Sequence, residues 1–194
     1  MSRRRQSANQ KIARIIHEAL DAGIAVEMDG LGSFRPGESG YEFVRDTAPS
    51  VFIAYVREDI AKVRRLYRDL EALGFRPWLD LKKLLPGQNW PRCIERTIEI
   101  SDFFIACFSR NSVSKRGQFQ SELRYALDCA SRLPLDEIFV LPVRLDDCAL
   151  PQRILSQLQY VNMFPDWQKG IRRIQTAVHR ETKRREKARL PLAG

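Results

Sequence analysis

From Ser50 onward the chain alternates unbroken apolar, β-rich runs with amphipathic stretches at helical spacing, and no other feature limits the possible folds as much. The runs are VFIAYV (51–56), FRPWLD (75–80), DFFIACFS (102–109) and EIFVLPVRLD (137–146), with QYVNMF (159–164) as a short fifth. Between the first two, Ile60, Val63, Leu66, Tyr67 and Leu70 mark one helix face, closed by Gly74. A second helix starts near Pro91 and turns Ile94 and Ile98 inward. A third carries Leu123, Ala126, Leu127 and Ala130 on one face, and a last one, from near Trp167, uses Ile171, Ile174 and Val178. Strands that are apolar throughout, rather than alternating, are buried on both faces. Their interleaving with helices predicts an α/β fold with a parallel sheet covered on both sides.

Residues 1–49 read differently. Ile12, Ile15, Ile16, Ala19 and Leu20 recur at helical spacing, and Gly23 supplies a stop. The stretch IAVEMDGLGSFRPGESGYEFV then alternates and is broken at Asp29-Gly30 and Gly37, which predicts a β-hairpin. Around GLGSF it resembles the opening of bacterial HU-like proteins, in which a glycine turn feeds a β arm. So short a unit cannot bury its isoleucine stripe alone, so a cap or a dimer contact is expected.

The chain has 194 residues and a net charge of +9. Residues 1–14 contribute +5 and residues 179–194 contribute +4, so residues 15–178 are balanced. The basic excess therefore reads as a property of the ends, with 179–194 expected to form a basic, solvated tail. Nucleic acid is an unexpected partner on this reading. Cys93, Cys107, Cys129 and Cys148 are scattered without a CxxC pair, and His17 and His179 lie near the ends, so no zinc spacing exists. Scattered thiols, no leader-like apolar stretch in MSRRRQSANQ and no run of membrane-span length together predict a cytoplasmic protein with no membrane contact.

Open α/β sheets bind ligands beyond the carboxyl ends of their strands. Those ends are Tyr55-Val56-Arg57, Leu79-Asp80, Phe108-Ser109 and Leu145-Asp146. No GxGxxG, Walker loop or GxSxG elbow is present, so a standard dinucleotide cradle, a nucleoside-triphosphate cradle and a serine-hydrolase elbow are all excluded.

The ordered series VFIAYVRED, PWLDLKKLLPGQNW, SDFFIACFSRNSVSKRGQFQSELRYAL and PVRLDDCALP resembles the TIR domains common in bacteria, over roughly residues 50–178. The resemblance implies a flavodoxin-like, five-stranded parallel sheet. It also implies one of two activities: assembly through TIR surfaces, or hydrolysis or cyclisation of NAD. Enzymatic members carry a glutamate on the helix after the third strand, and Glu122 matches it. By the same resemblance Tyr55 and Arg57 line the substrate at the end of the first strand. Asp80 and Leu84 fall in the loop that gates the pocket, Trp90 stacks on a base, and Ser109 forms the floor. Many active members have Trp or Tyr shortly before the glutamate, whereas this chain has GQFQS at 117–121, with Phe119 as the available substitute.

The leading expectation is thus an NAD glycohydrolase or cyclase of bacterial defence or stress signalling. NAD would be its substrate, with no further cofactor and no metal. Self-association through TIR surfaces and a partner effector or sensor protein would accompany it. A non-catalytic TIR scaffold and a nucleic-acid-associated regulator are the alternatives. Single residues also have structural alternatives. A glutamate early in a helix favours the macrodipole, Trp90 before Pro91 can staple a loop to its helix, Asp80 can cap loop backbone, and Arg57 can pair with Glu58 or Asp59.

Overall fold

A computed structural model of the chain describes residues 2–28, 32–37, 40–45, 48–79, 89–115 and 117–189. They divide into two compact units, 1–47 and 48–194.

The first unit is a helix, α1 (Ser2–Asp21), and a three-stranded antiparallel sheet of β1 (Val26–Met28), β2 (Gly32–Gly37) and β3 (Gly40–Arg45) in that order. The alternating stretch thus makes one strand more than the expected hairpin. Gly37 pairs with Gly40 at the second turn, where Gly40 has φ +139°, a conformation that only glycine adopts freely. Pro36 is tolerated in the central strand because β1 ends its pairing at Phe34. Phe34 and Phe43 face each other across β2 and β3 at 4.7 Å. Leu20 of α1 is buried, and the helix meets the sheet at Tyr41, whose hydroxyl donates to Asp21 and whose ring meets His17 edge-on. Of the predicted stripe, Ile15 stays 61% exposed.

The second unit is a five-stranded parallel sheet in the order β5-β4-β6-β7-β8. Its strands are β4 (Ser50–Ala54), β5 (Arg76–Trp78), β6 (Phe103–Phe108), β7 (Val140–Arg144) and β8 (Val161–Asn162). In strand number within the unit this is 2-1-3-4-5, the flavodoxin-like order. The helices are α2 (Ile60–Ala72), α3 (Trp90–Ile100), α4 (Arg110–Val113), α5 (Gln118–Ala130), α6 (Gln152–Leu155) and α7 (Trp167–Arg189). A short 3₁₀ turn, Arg57–Asp59, leads from β4 into α2.

All six residues of β6 are fully buried, as its unbroken apolar run requires. Their alternation divides the core in two. Phe103, Ile105 and Cys107 join Val51, Ile53, Leu66, Leu70, Ile174 and Val178 on the α2/α7 side. Phe104, Ala106 and Phe108 join Phe52, Ile94, Ile98, Phe119 and Leu123 on the α3/α5 side. Helix α2 ends in a Schellman closure. The Phe75 N–H reaches the Leu70 carbonyl at 3.1 Å, the Gly74 N–H reaches Glu71 at 3.0 Å, and Gly74 takes φ +79°.

Helix α7 corrects the expectation of a tail from residue 179. The helix runs through that point to Arg189 without a break. Its far half is anchored: buried Glu181 accepts from Arg184 at 2.8 Å and from Arg185 at 3.1 Å. Arg185 also donates to the carbonyls of Asp102 and Ile138, at 3.0 and 2.8 Å, and lies over the Phe103 ring. Counting charges from sequence could not separate these docked arginines from solvated ones.

Candidate functional site

Helix α5 starts after Gly117, whose φ of +135° turns the chain out of the α4 region. Phe119 and Leu123 then pin the helix to the sheet, with Phe119 edge-on to Phe108 at 5.5 Å. This places Glu122, between the two anchors, against α3. Glu122 as a residue keeps only 8% exposure. Gln118, one turn earlier, donates its amide to Glu122 Oε1 at 2.8 Å. Glu122 falls in the second turn of α5, past the first-turn positions where the macrodipole is felt most.

Glu122 forms part of the wall of a groove of about 510 Å³ between α3 and α5, within the roughly 300–1,000 Å³ range of small-molecule sites. Ile94 and Ile98 give it an apolar side, while Glu95, Asp128 and Arg124 add charge. Among the described lining residues the carboxylates of Glu95, Glu122 and Asp128 stand beside the Arg124 guanidinium, and Asp128 also pairs with Arg132 at 2.7 Å. Tyr125, on the same wall, donates its hydroxyl to Glu99 at 2.5 Å. Glu99, as acceptor of that hydrogen bond, pushes the Tyr125 hydroxyl up to about 12, so it stays protonated near neutrality. Among the described residues no group of three or more His, Cys, Asp or Glu side chains is placed to hold a metal ion.

The other expected site residues have different fates. Tyr55 packs on the α2/α7 cluster, with Val51 and Ile53, whereas Val56 and Phe119 belong to the opposite cluster. The two-residue period of a strand therefore directs Tyr55 away from the Glu122 side. Arg57 opens the 3₁₀ turn and is exposed. Its neighbours have other partners, for Glu58 pairs with Lys115 and Asp59 is buried. Ser109 is buried in a lock between the ends of β4 and β6. Its hydroxyl donates to Asp59 and accepts from the N–H groups of Asn111 and Ser112 at 3.1 and 3.2 Å. Ser112 returns the bond by accepting from the Ser109 N–H at 2.8 Å, which closes a capping box. Trp90 is the first residue of α3, 46% exposed, behind Asn89, whose side chain caps Arg92 N at 3.3 Å. Asp80 and Leu84 lie outside the described residues. Phe119 is 5% exposed and packs in the α3/α5-side core.

Sequence reading missed Gln118 as a partner of Glu122, and Glu95 and Tyr125 as groove residues. The i, i+4 spacing of Gln118 and Glu122 was a usable signal. The pairing of α3 with α5, which brings Glu95 to the groove, had none.

A family model described as "TIR domain" matches residues 51–175. The chain belongs to the TIR-domain family. Its fold is similar to the TIR domain of the Toll-related receptor TRR-2 from Hydra magnipapillata, with 21% identity and a TM-score of 0.54 over 69% of this chain and 97% of that one. It is equally similar to a TIR-STING receptor from C. gigas, with 20% identity and a TM-score of 0.54, covering 69% of this chain and 41% of that chain. No curated protein matches it. In this TIR domain the glutamate-bearing helix is α5, and the groove beside it is the candidate site. No helix among the described residues is long and apolar enough to cross a membrane.

Proposed function

We propose that this TIR domain cleaves the nicotinamide–ribose bond of NAD, with Glu122 as the carboxylate at the ribose. One observation supports the reading: a nearly buried glutamate, with the Gln118 amide on its carboxylate, lies on the wall of the α3/α5 groove, on the helix where the sequence resemblance expects the catalytic glutamate. Cleavage breaks the bond from ribose C1′ to the ring nitrogen. The electron pair leaves with nicotinamide, which becomes neutral, and positive charge develops on the ribose. A fixed carboxylate beside the ribose hydroxyls stabilises that charge more than it stabilises the ground state. The leaving group is already good, so little acid catalysis is required. Water adds to C1′ and releases a proton, giving ADP-ribose, whereas capture by a base atom of the same molecule gives a cyclic isomer. The Glu95 and Asp128 carboxylates on the groove wall suit the cationic nicotinamide ring. NAD is then substrate and no other cofactor is needed. Self-association through TIR surfaces, a partner effector or sensor, and a cytoplasmic defence or stress role belong to the same proposal.

The test is nicotinamide release, followed by mass spectrometry at high protein concentration. Glu122→Gln keeps the shape and removes the charge, and turnover should fall at least about 100-fold. Unchanged release would end the catalytic assignment. A second reading, a non-catalytic interaction module, is favoured by the burial of Phe119 and by the placement of Tyr55 on the other side of the sheet. It predicts no nicotinamide release from the wild type, with association that grows with protein concentration.

A further inference from the structure

The cations of α7 divide into two sets. Arg184 and Arg185 are tied to Glu181, Asp136 and Glu137. Lys169, Arg172, Arg173 and Arg180 instead line a second groove, of about 480 Å³, beside Thr176 and Ile138. At about 100° per residue these positions, with Lys183 and Lys187, fall on one outward stripe. All six are exposed. Among the described residues the only ion pair recorded for them is a long one, Arg172 to Asp166 at 3.9 Å. The helix acids lie off the stripe, since Glu181 is buried and Glu186 is on another side.

From Lys169 to Lys187 the stripe is roughly 27 Å long, at about 1.5 Å per residue. Its cations fall in two groups, Lys169, Arg172 and Arg173, then Arg180, Lys183 and Lys187, separated by about two turns around Thr176, while a duplex strand presents one phosphate per roughly 3.4 Å of axis. An extended polyanion can meet both groups at once, and a compact one cannot. A bilayer is a poorer fit because the apolar side chains of α7, namely Ile171, Ile174 and Val178, are all committed to the core. An interfacial helix needs that face free to enter lipid.

We propose that the outward stripe of α7 binds the phosphodiester backbone of a nucleic-acid duplex, independently of base sequence and of the chemistry at Glu122. The stripe supplies charge without base-reading groups, so contact is through phosphates alone. Such binding would bring several copies of the TIR domain onto one polyanion.

The experiment measures binding of the full chain to fluorescently labelled 20-base-pair duplexes, one DNA and one RNA, across a potassium chloride series. Arms with scrambled sequences and with anionic phosphatidylserine vesicles accompany it. Affinity should fall steeply with salt and ignore sequence. The triple variant Lys169→Gln/Arg173→Gln/Arg180→Gln should lose at least about tenfold in affinity, and its salt slope should drop by about 2–3, near 0.9 for each lost phosphate contact. The variant Arg3→Gln/Arg4→Gln/Arg5→Gln should keep the α7-dependent part. Preference for DNA or RNA identifies the source of the backbone. The proposal is overturned by an unchanged slope in the triple α7 variant, by binding that disappears only with the N-terminal arginines, or by vesicle binding without duplex binding. Unchanged circular dichroism of the triple variant, whose three sites are exposed, shows that the loss is not unfolding.

Discussion

Gln118 donates its side-chain amide to the Glu122 carboxylate across one turn of α5, at 2.8 Å. The donor is neutral, so it orients the carboxylate without cancelling its charge. If Glu122 works at the ribose, Gln118 is a positioning residue. Gln118→Ala should lower kcat for nicotinamide release about tenfold and leave KM within about twofold, because a mispositioned carboxylate costs transition-state stabilisation rather than uniform binding. Steady-state kinetics separate the two, and an equal rise of KM without loss of kcat would assign Gln118 to substrate binding instead.

Phe119 has its ring edge against Phe108 and is almost fully buried. Phe119→Ala should therefore destabilise the unit by about 3–5 kcal/mol, as core aromatic truncations do. Thermal unfolding gives the measurement. Phe119→Leu, which keeps most of the apolar volume, should recover most of that stability together with the activity. A variant that stays fully stable but loses substrate affinity would return Phe119 to the site.

Trp90 is half-exposed at the start of α3. Trp90→Ala should change stability by less than about 1 kcal/mol, since little of the ring leaves a packed environment. If the indole stacks on a base of the substrate, KM should rise by about three- to tenfold with kcat retained. A drop in melting temperature with unchanged KM would mark the residue as a structural staple.

Burial works against the charge of the Glu181 carboxyl, but its bonds to Arg184 and Arg185 outweigh that and hold it below the ordinary glutamate value. Asp146 behaves alike. Its burial is outweighed by Lys62 at 2.9 Å and by the Arg110 N–H at 2.9 Å. A carboxyl depressed in the folded state contributes stability that is present above its unfolded value, about 4.3 for glutamate, and is lost as pH falls through the folded value. The melting temperature should therefore decline from about pH 4.5 downward. Glu181→Gln should lower it at pH 7, at a cost of about 1–3 kcal/mol, and flatten the acid decline. Identical acid profiles for the two proteins would show that α7 is held by its apolar face alone.

The sequence alone determined the parallel sheet and its helices, because an apolar run such as DFFIACFS can be satisfied only by cover on both faces. It also singled out Glu122, through its place in a series of motifs. The rest depended on contacts between residues far apart in the chain. Tyr55 and Val56 are adjacent in sequence, yet the pleat sends them to opposite clusters. Phe119 became core because Phe108 was there to receive it. The cysteine, histidine and charge counts were all readable in advance, but not which cations of residues 169–187 would find carboxylates. Asp136, Glu137 and Glu181 take Arg184 and Arg185. Lys169, Arg173 and Arg180 remain facing outward on the same helix. Composition sums charges, whereas the handedness and pitch of a docked helix decide which of them meet a partner and which face solvent.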